Sequence, residues 1–237
     1  MLMQMGRNVT LTIGGADKKG RNAAESYVKR EGELVGCIKL VKIWHAIGHT
    51  VRIVDIPYGL SDSFSPTKKE EPTISADFIK SGSQFSRATA AVAEMQSLSM
   101  VVNVLLEKID NNQFEALKSL LTKICSRSSA VRALTSIDPL MMEGRAIMYN
   151  RKTPLHTDRL DPLRGWATMI TFGNFSEGGD CYIERLKLRI RYHPGDAIII
   201  RGRILPHEVE EWGPGQRISI AHFTHTSIWE SEDMICP

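Results

Sequence analysis

Three side chains in the C-terminal part of this sequence have the types and order of a metal-binding set: His156 and Asp158 in Leu-His-Thr-Asp, and His207 in Leu-Pro-His-Glu-Val. Side chains alternate between faces along a β-strand, so His156 and Asp158, separated by one residue, point the same way and can grip one ion together. His207 comes from far along the chain. Two imidazoles and a carboxylate leave three positions of an octahedral Fe(II) open, enough for a bidentate co-substrate and for O₂. Beyond His207 lies Arg217, in Gln-Arg-Ile-Ser-Ile-Ala-His-Phe, which strand parity puts on one face with Ser219. A guanidinium fork beside a hydroxyl suits a buried carboxylate, because charge-assisted bidentate bonds offset the cost of desolvating the anion. The competing reading makes His156 and His207 ordinary core histidines, since a lone His-x-Asp arises by chance. The ordered series that follows it favours the metal.

The elements that must position these groups are short strands. From Arg145 onward, apolar runs alternate with turn signals at Gly173-Asn174, Gly178-Gly179, Pro194-Gly195 and Gly213-Pro214-Gly215. Evenly spaced short strands without intervening helices predict a closed or sandwiched antiparallel structure. With the motif order this is an α+β fold, a double-stranded β-helix (jelly roll) buttressed by N-terminal helices. It forms one domain over residues 1–237, with 1–140 as mainly helical support and 141–237 as the core. Within the support region, helical spacing runs over residues 22–44 (Ala24, Val28, Leu34, Ile38, Val41, Trp44), 77–81, 88–110 and 113–126, with Asn111-Asn112 as a break and expected cap. Strands are expected at 9–13 and 51–56 and a loop at 57–72, while 126–136 is ambiguous.

A chain of 237 residues can bury one full core, and 42% apolar with 24% charged residues is the balance of a globular protein rather than a disordered one. No basic leader and no apolar run of membrane-span length are present, so an intracellular protein is expected. A nuclear setting is compatible, although Lys18-Lys19 and Lys68-Lys69 fall short of a localisation signal. Four scattered cysteines without a Cys-x-x-Cys pair argue against zinc ribbons and disulfide frameworks, and Cys181 reads as a small buried hydrophobe. The net charge of +3 permits nucleic acid without demanding it. Arg185, Lys187, Arg189 and Arg191 alternate with Leu186, Leu188, Ile190 and Tyr192, as in one strand with an apolar face and a basic stripe. Together with Arg145, Arg151, Lys152, Arg159, Arg164, Arg201 and Arg203 they form either a phosphate-contacting rim or a sheet surface kept soluble by cations.

The run Gly165-Trp-Ala-Thr-Met-Ile-Thr-Phe-Gly-Asn-Phe-Ser-Glu-Gly-Gly-Asp180, the Pro-Gly-Asp-Ala-Ile-Ile-Ile-Arg segment and the Trp212…Gln216-Arg217-Ile-Ser219 end resemble the TET/JBP branch of the Fe(II)/2-oxoglutarate dioxygenases, and within it the compact fungal members. The resemblance covers only the C-terminal part that carries these motifs. It implies Fe(II) on His156, Asp158 and His207, and 2-oxoglutarate with its far carboxylate on Arg217 and Ser219. It also implies a substrate C–H bond hydroxylated at the expense of O₂. Tyr149, Asn150 and Arg151 precede the His-x-Asp strand, where such enzymes place groups touching the co-substrate or the target base. Tyr149 is therefore expected to be catalytic, and Asn150 and Arg151 to bind co-substrate. In TET enzymes an asparagine three residues past the metal aspartate contacts the target cytosine. Asp161 occupies that place here, keeping an acceptor and losing the amide donor. Parity makes His222 structural, gives His225 the face of Arg217, and leaves His193 before a turn.

The function so implied is oxidation of the methyl group of a methylated base in duplex DNA, 5-methylcytosine first, with N6-methyladenine demethylation opened by Asp161. One alternative is a 2-oxoglutarate-dependent hydroxylase of a small molecule or protein side chain. Another is a silent binding module, disfavoured by the intact metal triad and Arg-x-Ser pair.

Overall fold

The computed structural model of the protein describes residues 36–44, 72–79 and 81–237. A five-stranded antiparallel sheet runs in the order β1 (Gly36–Val41), β4 (Gly144–Tyr149), β11 (Arg217–Phe223), β6 (Ala167–Gly173), β9 (Ala197–Ile200). A four-stranded one runs β5 (Thr153–His156), β10 (His207–Val209), β7 (Cys181–Ile183), β8 (Leu188–Ile190). A short pair, β2 (Ile43–Trp44) and β3 (Thr73–Ile74), completes the strands among the described residues. The larger sheet has two chemically different faces because its strands alternate. Ile147, Tyr149, Ile170, Ile218 and Ile220 point out to a helical layer. The small or slender Ala146, Met148, Ala167, Ser219 and Ala221 point in, and line a cavity of about 440 Å³ whose other wall is the second sheet. The jelly-roll core expected from the sequence is therefore present, with the described helices packed on one face.

Those helices are α1 (Ala76–Ile79), α2 (Gly82–Glu94), α3 (Gln96–Ile109), α4 (Asn111–Arg127) and α5 (Ser129–Ile137), with α6 (Thr226–Ser231) near the C-terminus. The oxygens of Ser81, Asp110 and Ser128 accept from Gln84, Gln113 and Val131 N–H and so cap α2, α4 and α5. The apolar stripe Val92, Met95, Val102, Leu106, Leu117, Leu120 and Ile124 is buried against the sheet. Residues 88–110 do not make one helix, since the chain bends by 58° at Met95. Asp110 rather than the Asn pair is the cap, and the ambiguous 126–136 is mostly α5. Among the described residues no single helix is long and apolar enough to cross a membrane.

Two expectations are overturned. The helix over 22–44 is, in its described part 36–44, β1 and β2. The backbone edge of β4 requires a partner, and residues 36–41 supply it from Gly36↔Tyr149 to Val41↔Gly144. The remainder of that helix and the strands at 9–13 and 51–56 fall outside the described residues, as does the loop up to residue 71. The single strand over 185–192 is instead a reversal. A 3₁₀ turn at Glu184–Leu186 and left-handed Lys187 (φ 50°) separate β7 from β8 and leave Leu186 and Leu188 exposed.

Arg145 is no rim cation either. It is buried, with one guanidinium nitrogen 2.6 and 2.7 Å from the two Asp138 oxygens and 3.1 Å from Ser99 Oγ. Lys42 is buried 3.9 Å from the same carboxylate. Removing the anion would strand two buried cations, at a cost of roughly 3–5 kcal/mol.

His222 lies fully buried on the helix side of β11, its Nδ1 3.1 Å from the Thr168 carbonyl. Burial, with Arg145 nearby, pushes its pKa from 6.5 down to about 3. Between those values the unfolded chain takes up a proton that the folded protein refuses, so stability is full above pH 6.5 and drains as pH falls. From pH 7 to pH 5 this amounts to about 2 kcal/mol. Urea unfolding of the metal-free protein at both pH values should show His222→Gln losing about 2 kcal/mol less than the parent over that interval.

Candidate metal centre

Antiparallel pairing of β5 with β10 sets His156 directly opposite His207, ring centroids 4.4 Å apart. Each imidazole is oriented in the same way: Nδ1 lies 2.9 Å from the carbonyl two residues earlier, Pro154 for His156 and Leu205 for His207. With the proton held on Nδ1, the Nε2 lone pair is left to a ligand, the orientation that metal-bound histidines use. Asp158 lies beyond the end of β5, so strand alternation does not aim it. Its N–H donates to the Gly202 carbonyl at 3.0 Å, and its carboxylate oxygens stand 3.5 Å from His156 Nε2 and 3.9 Å from His207 Nε2. All three ligand atoms lie within 4.8 Å of one another, a group able to hold one metal ion.

The electrostatics agree. Burial would raise Asp158, but the two histidines outweigh it and hold its pKa below the usual value. Burial lowers His207, while at His156 the same effect is overcome by contact with Asp158, which raises it. Gly202 has no chemistry to announce it in the sequence, yet the centre is built around its missing side chain. A Cβ there would stand 2.0 Å from Asp158 Oδ2 and 3.3 Å from His207 Cε1.

At another side of the cavity Arg217 is 1% exposed, its Nη1 3.3 Å from Ser219 Oγ. Its Nε and Nη2 are buried without a hydrogen-bond partner among the described residues, and so is the Tyr192 hydroxyl. The rings of Tyr192, Trp212 and Phe175 surround the guanidinium at 5.1, 5.6 and 5.9 Å. Burial raises the Tyr192 pKa, so the phenol remains a donor. A desolvated cation with idle donors, beside an idle hydroxyl, is a receptor for a carboxylate end. Tyr192 was legible only as the apolar member of an alternating pattern.

The residues just before β5 divide. Arg151 lines the cavity. Tyr149 does not: it packs in the helix-side core, on the opposite sheet face from Arg217 and Ser219, and its expected catalytic place is corrected accordingly. Asn150, expected to bind co-substrate, instead holds Arg217 by the backbone. Its Oδ1 accepts from Arg217 N–H and its own N–H donates to the Arg217 carbonyl, both at 2.8 Å, from a left-handed conformation (φ 47°).

The remaining wall carries Asp161, Phe223 and His225. Burial, reinforced by the carboxylates of Asp158 and Glu143, pushes Asp161 up to about 8. His225 Nδ1 lies 2.7 Å from Glu143 Oε1. His193 sits in a turn, its N–H on Asp196. Much of the expected basic rim is spoken for: Arg189 forks onto Glu210, Lys152 pairs with Glu211, and Arg201 stacks on Trp166.

Two measurements check this geometry. Gly202→Ala should fold yet bind Mn(II) or Co(II) about 10–100-fold more weakly in a calorimetric titration, because the new methyl displaces the Asp158 carboxylate. Asn150→Ala should lower unfolding free energy by roughly 1–3 kcal/mol, since it leaves the buried Arg217 N–H without its acceptor.

No protein-family model matches the chain, and no curated protein does. Among solved structures, an RmlC-like cupin protein from Desulfovibrio desulfuricans aligns over 33% of this chain and 71% of its own, at 12% identity and a TM-score of 0.24, a slight likeness. NgTET1 in complex with 5mC DNA aligns over 94% of this chain and 69% of its own, at 16% identity and a TM-score of 0.54. What this chain shares with NgTET1 is the fold.

Proposed function

We propose that this protein is an Fe(II)/2-oxoglutarate-dependent dioxygenase that oxidises the methyl group of a methylated base in duplex DNA. The observation that carries the reading is a single cavity holding both the His156–Asp158–His207 group and, apart from it, the carboxylate receptor of Arg217, Ser219 and Tyr192. A dicarboxylate that must chelate a metal at one end and be anchored at the other fits that pairing, which a structural ion site would not need.

In this reading His156 and His207 give neutral Nε2 donors, and Asp158 gives an anionic oxygen that offsets part of the metal charge. Bound there, Fe(II) with 2-oxoglutarate and O₂ supplies the oxidising power to hydroxylate a C–H bond, with succinate and CO₂ as by-products. Arg217 Nε and Nη2 and the Tyr192 hydroxyl hold the far carboxylate, with Ser219 orienting the guanidinium and Asn150 fixing the strand that carries it. The small inward residues Ala146 and Ala221 leave the space between the anchors open. Asp161 and His225, on the remaining wall, face the substrate.

Duplex DNA is favoured because the neighbour of like fold, NgTET1, was solved with 5mC DNA, and because Lys39, Arg151 and Arg159 line this cavity. A base reaching groups this deep must leave the stack. The first candidate is 5-methylcytosine. N6-methyladenine is the second, because a carboxyl at Asp161 can meet the N–H and ring-nitrogen edge of either base.

The test is single-turnover mass spectrometry with Fe(II), 2-oxoglutarate and ascorbate on duplexes carrying 5-methylcytosine or N6-methyladenine, with His156→Ala as the blank. Loss of methyl base matched by succinate, absent from the blank, is expected. Succinate without base loss would move the substrate to a small molecule or protein side chain, and no succinate from metal-loaded protein would overturn the enzyme. Arg217→Lys should raise the 2-oxoglutarate KM by about 10–100-fold, because an ammonium cannot reproduce the bidentate fork. Tyr192→Phe should raise it by about 10–100-fold, the loss of a hydrogen bond to an ionised carboxylate worth about 1.5–3 kcal/mol.

A further inference from the structure

The loop of residues 159–165, which follows Asp158, forms a ridge between two cavities. Leu160 lines the metal cavity, and Leu163 lines a neighbouring one that also borders Trp229 and Met234. Both leucines stand in water, 67% and 63% exposed. A single exposed leucine is ordinary, but these two sit on a backbone that is tied down. Thr226 N–H donates to the Leu160 carbonyl at 2.7 Å and Gly165 N–H to that of Pro162 at 3.0 Å, while the Arg203 guanidinium donates to the carbonyls of Arg159 and Asp161. These ties hold the ridge with both leucines directed into solvent. Exposed Arg159 and Arg164 bracket them, and neither has an acidic partner among the described residues.

Resting on the nucleic-acid reading above, we propose that this ridge is an apolar wedge. Leu160 and Leu163 enter the duplex beside the target base, and Arg159 and Arg164 hold the phosphates on either side. The chemistry on the page selects this occupant. Drawing a base into the metal cavity leaves a gap in the stack directly over the mouth that Leu160 borders, and an apolar side chain that fills it keeps the base from returning. Arginines carry the sequence-independent phosphate contacts that position such a wedge. A protein docking on the same leucines would have no use for cations without anionic partners on both flanks.

The experiment uses a duplex with 5-methylcytosine next to 2-aminopurine, the parent protein, and the double variant Leu160→Ser/Leu163→Ser, with melting temperatures compared to confirm that both fold. On binding, the parent should raise 2-aminopurine fluorescence. The double variant should bind within about threefold, because phosphate contacts dominate affinity. It should nevertheless lose that rise, and its ratio of duplex to single-stranded turnover should fall about tenfold or more, because only the duplex needs its stack opened. Unchanged fluorescence and duplex turnover in the variant would remove the wedge and leave the dioxygenase reading standing, as would equal losses on duplex and single strand. A parent protein that neither binds nor oxidises duplex would overturn wedge and substrate together.

Discussion

The centre depends on one backbone pairing. β5 and β10 are short, and their register has a single functional requirement, His156 opposite His207. A slip of one residue would send one imidazole to the other face of the sheet. The pairing alone leaves two imidazoles with nothing between them. The carboxylate is brought in by a different device, the hydrogen bond from Asp158 to Gly202 just before β10. The three candidate ligands are therefore brought together from both strands of one ladder, and Gly202 marks where the two segments come closest.

Two buried arginines show how this fold treats charge. Arg145, under the helices, meets Asp138 on both oxygens, with Lys42 and Ser99 beside it, so the cation is neutralised within the chain. Arg217, on the cavity side of the neighbouring strand, is as deeply buried and is given aromatic faces and one hydroxyl but, among the described residues, no anion. Aromatic faces soften the desolvation of a guanidinium without satisfying its N–H groups. The same residue type is thus a structural clamp in one place and an open receptor in the other, and what separates them is whether a carboxylate was supplied.

Much of this was readable from residue order. His156, Asp158, His207, Arg217 and Ser219 converge on one cavity as expected, and Arg217 shares a face with Ser219 because β-strand parity is a local rule that β11 obeys. Parity also separated His222 from His225 correctly. It failed where the chain leaves the strand: Asp158 is aimed by a hydrogen bond to the distant Gly202, and Lys187 reverses what reads as one continuous strand. Tyr149 shows another limit, since proximity in sequence to the site says nothing about which sheet face a side chain takes. Gly202 and Tyr192 were not legible because their roles, an absent side chain and an unused hydroxyl, arise only when distant segments meet. The helical spacing across residues 36–44 was a coincidence of apolar positions, overruled by the open edge of β4.

That edge has a consequence for what counts as the minimal unit. β1 covers β4 along its whole length, and Cys37 and Lys39 on it form part of the cavity wall. A fragment trimmed to the motif-bearing region would retain His156, Asp158, His207, Arg217, Ser219 and Tyr192. It would also have a bare strand edge of unpaired amides and carbonyls beside the mouth of its own site. Such an edge templates pairing with other copies. The first segment of the described chain is thus as much a part of the cavity as the candidate metal ligands, and the edge left open by its removal favours self-association.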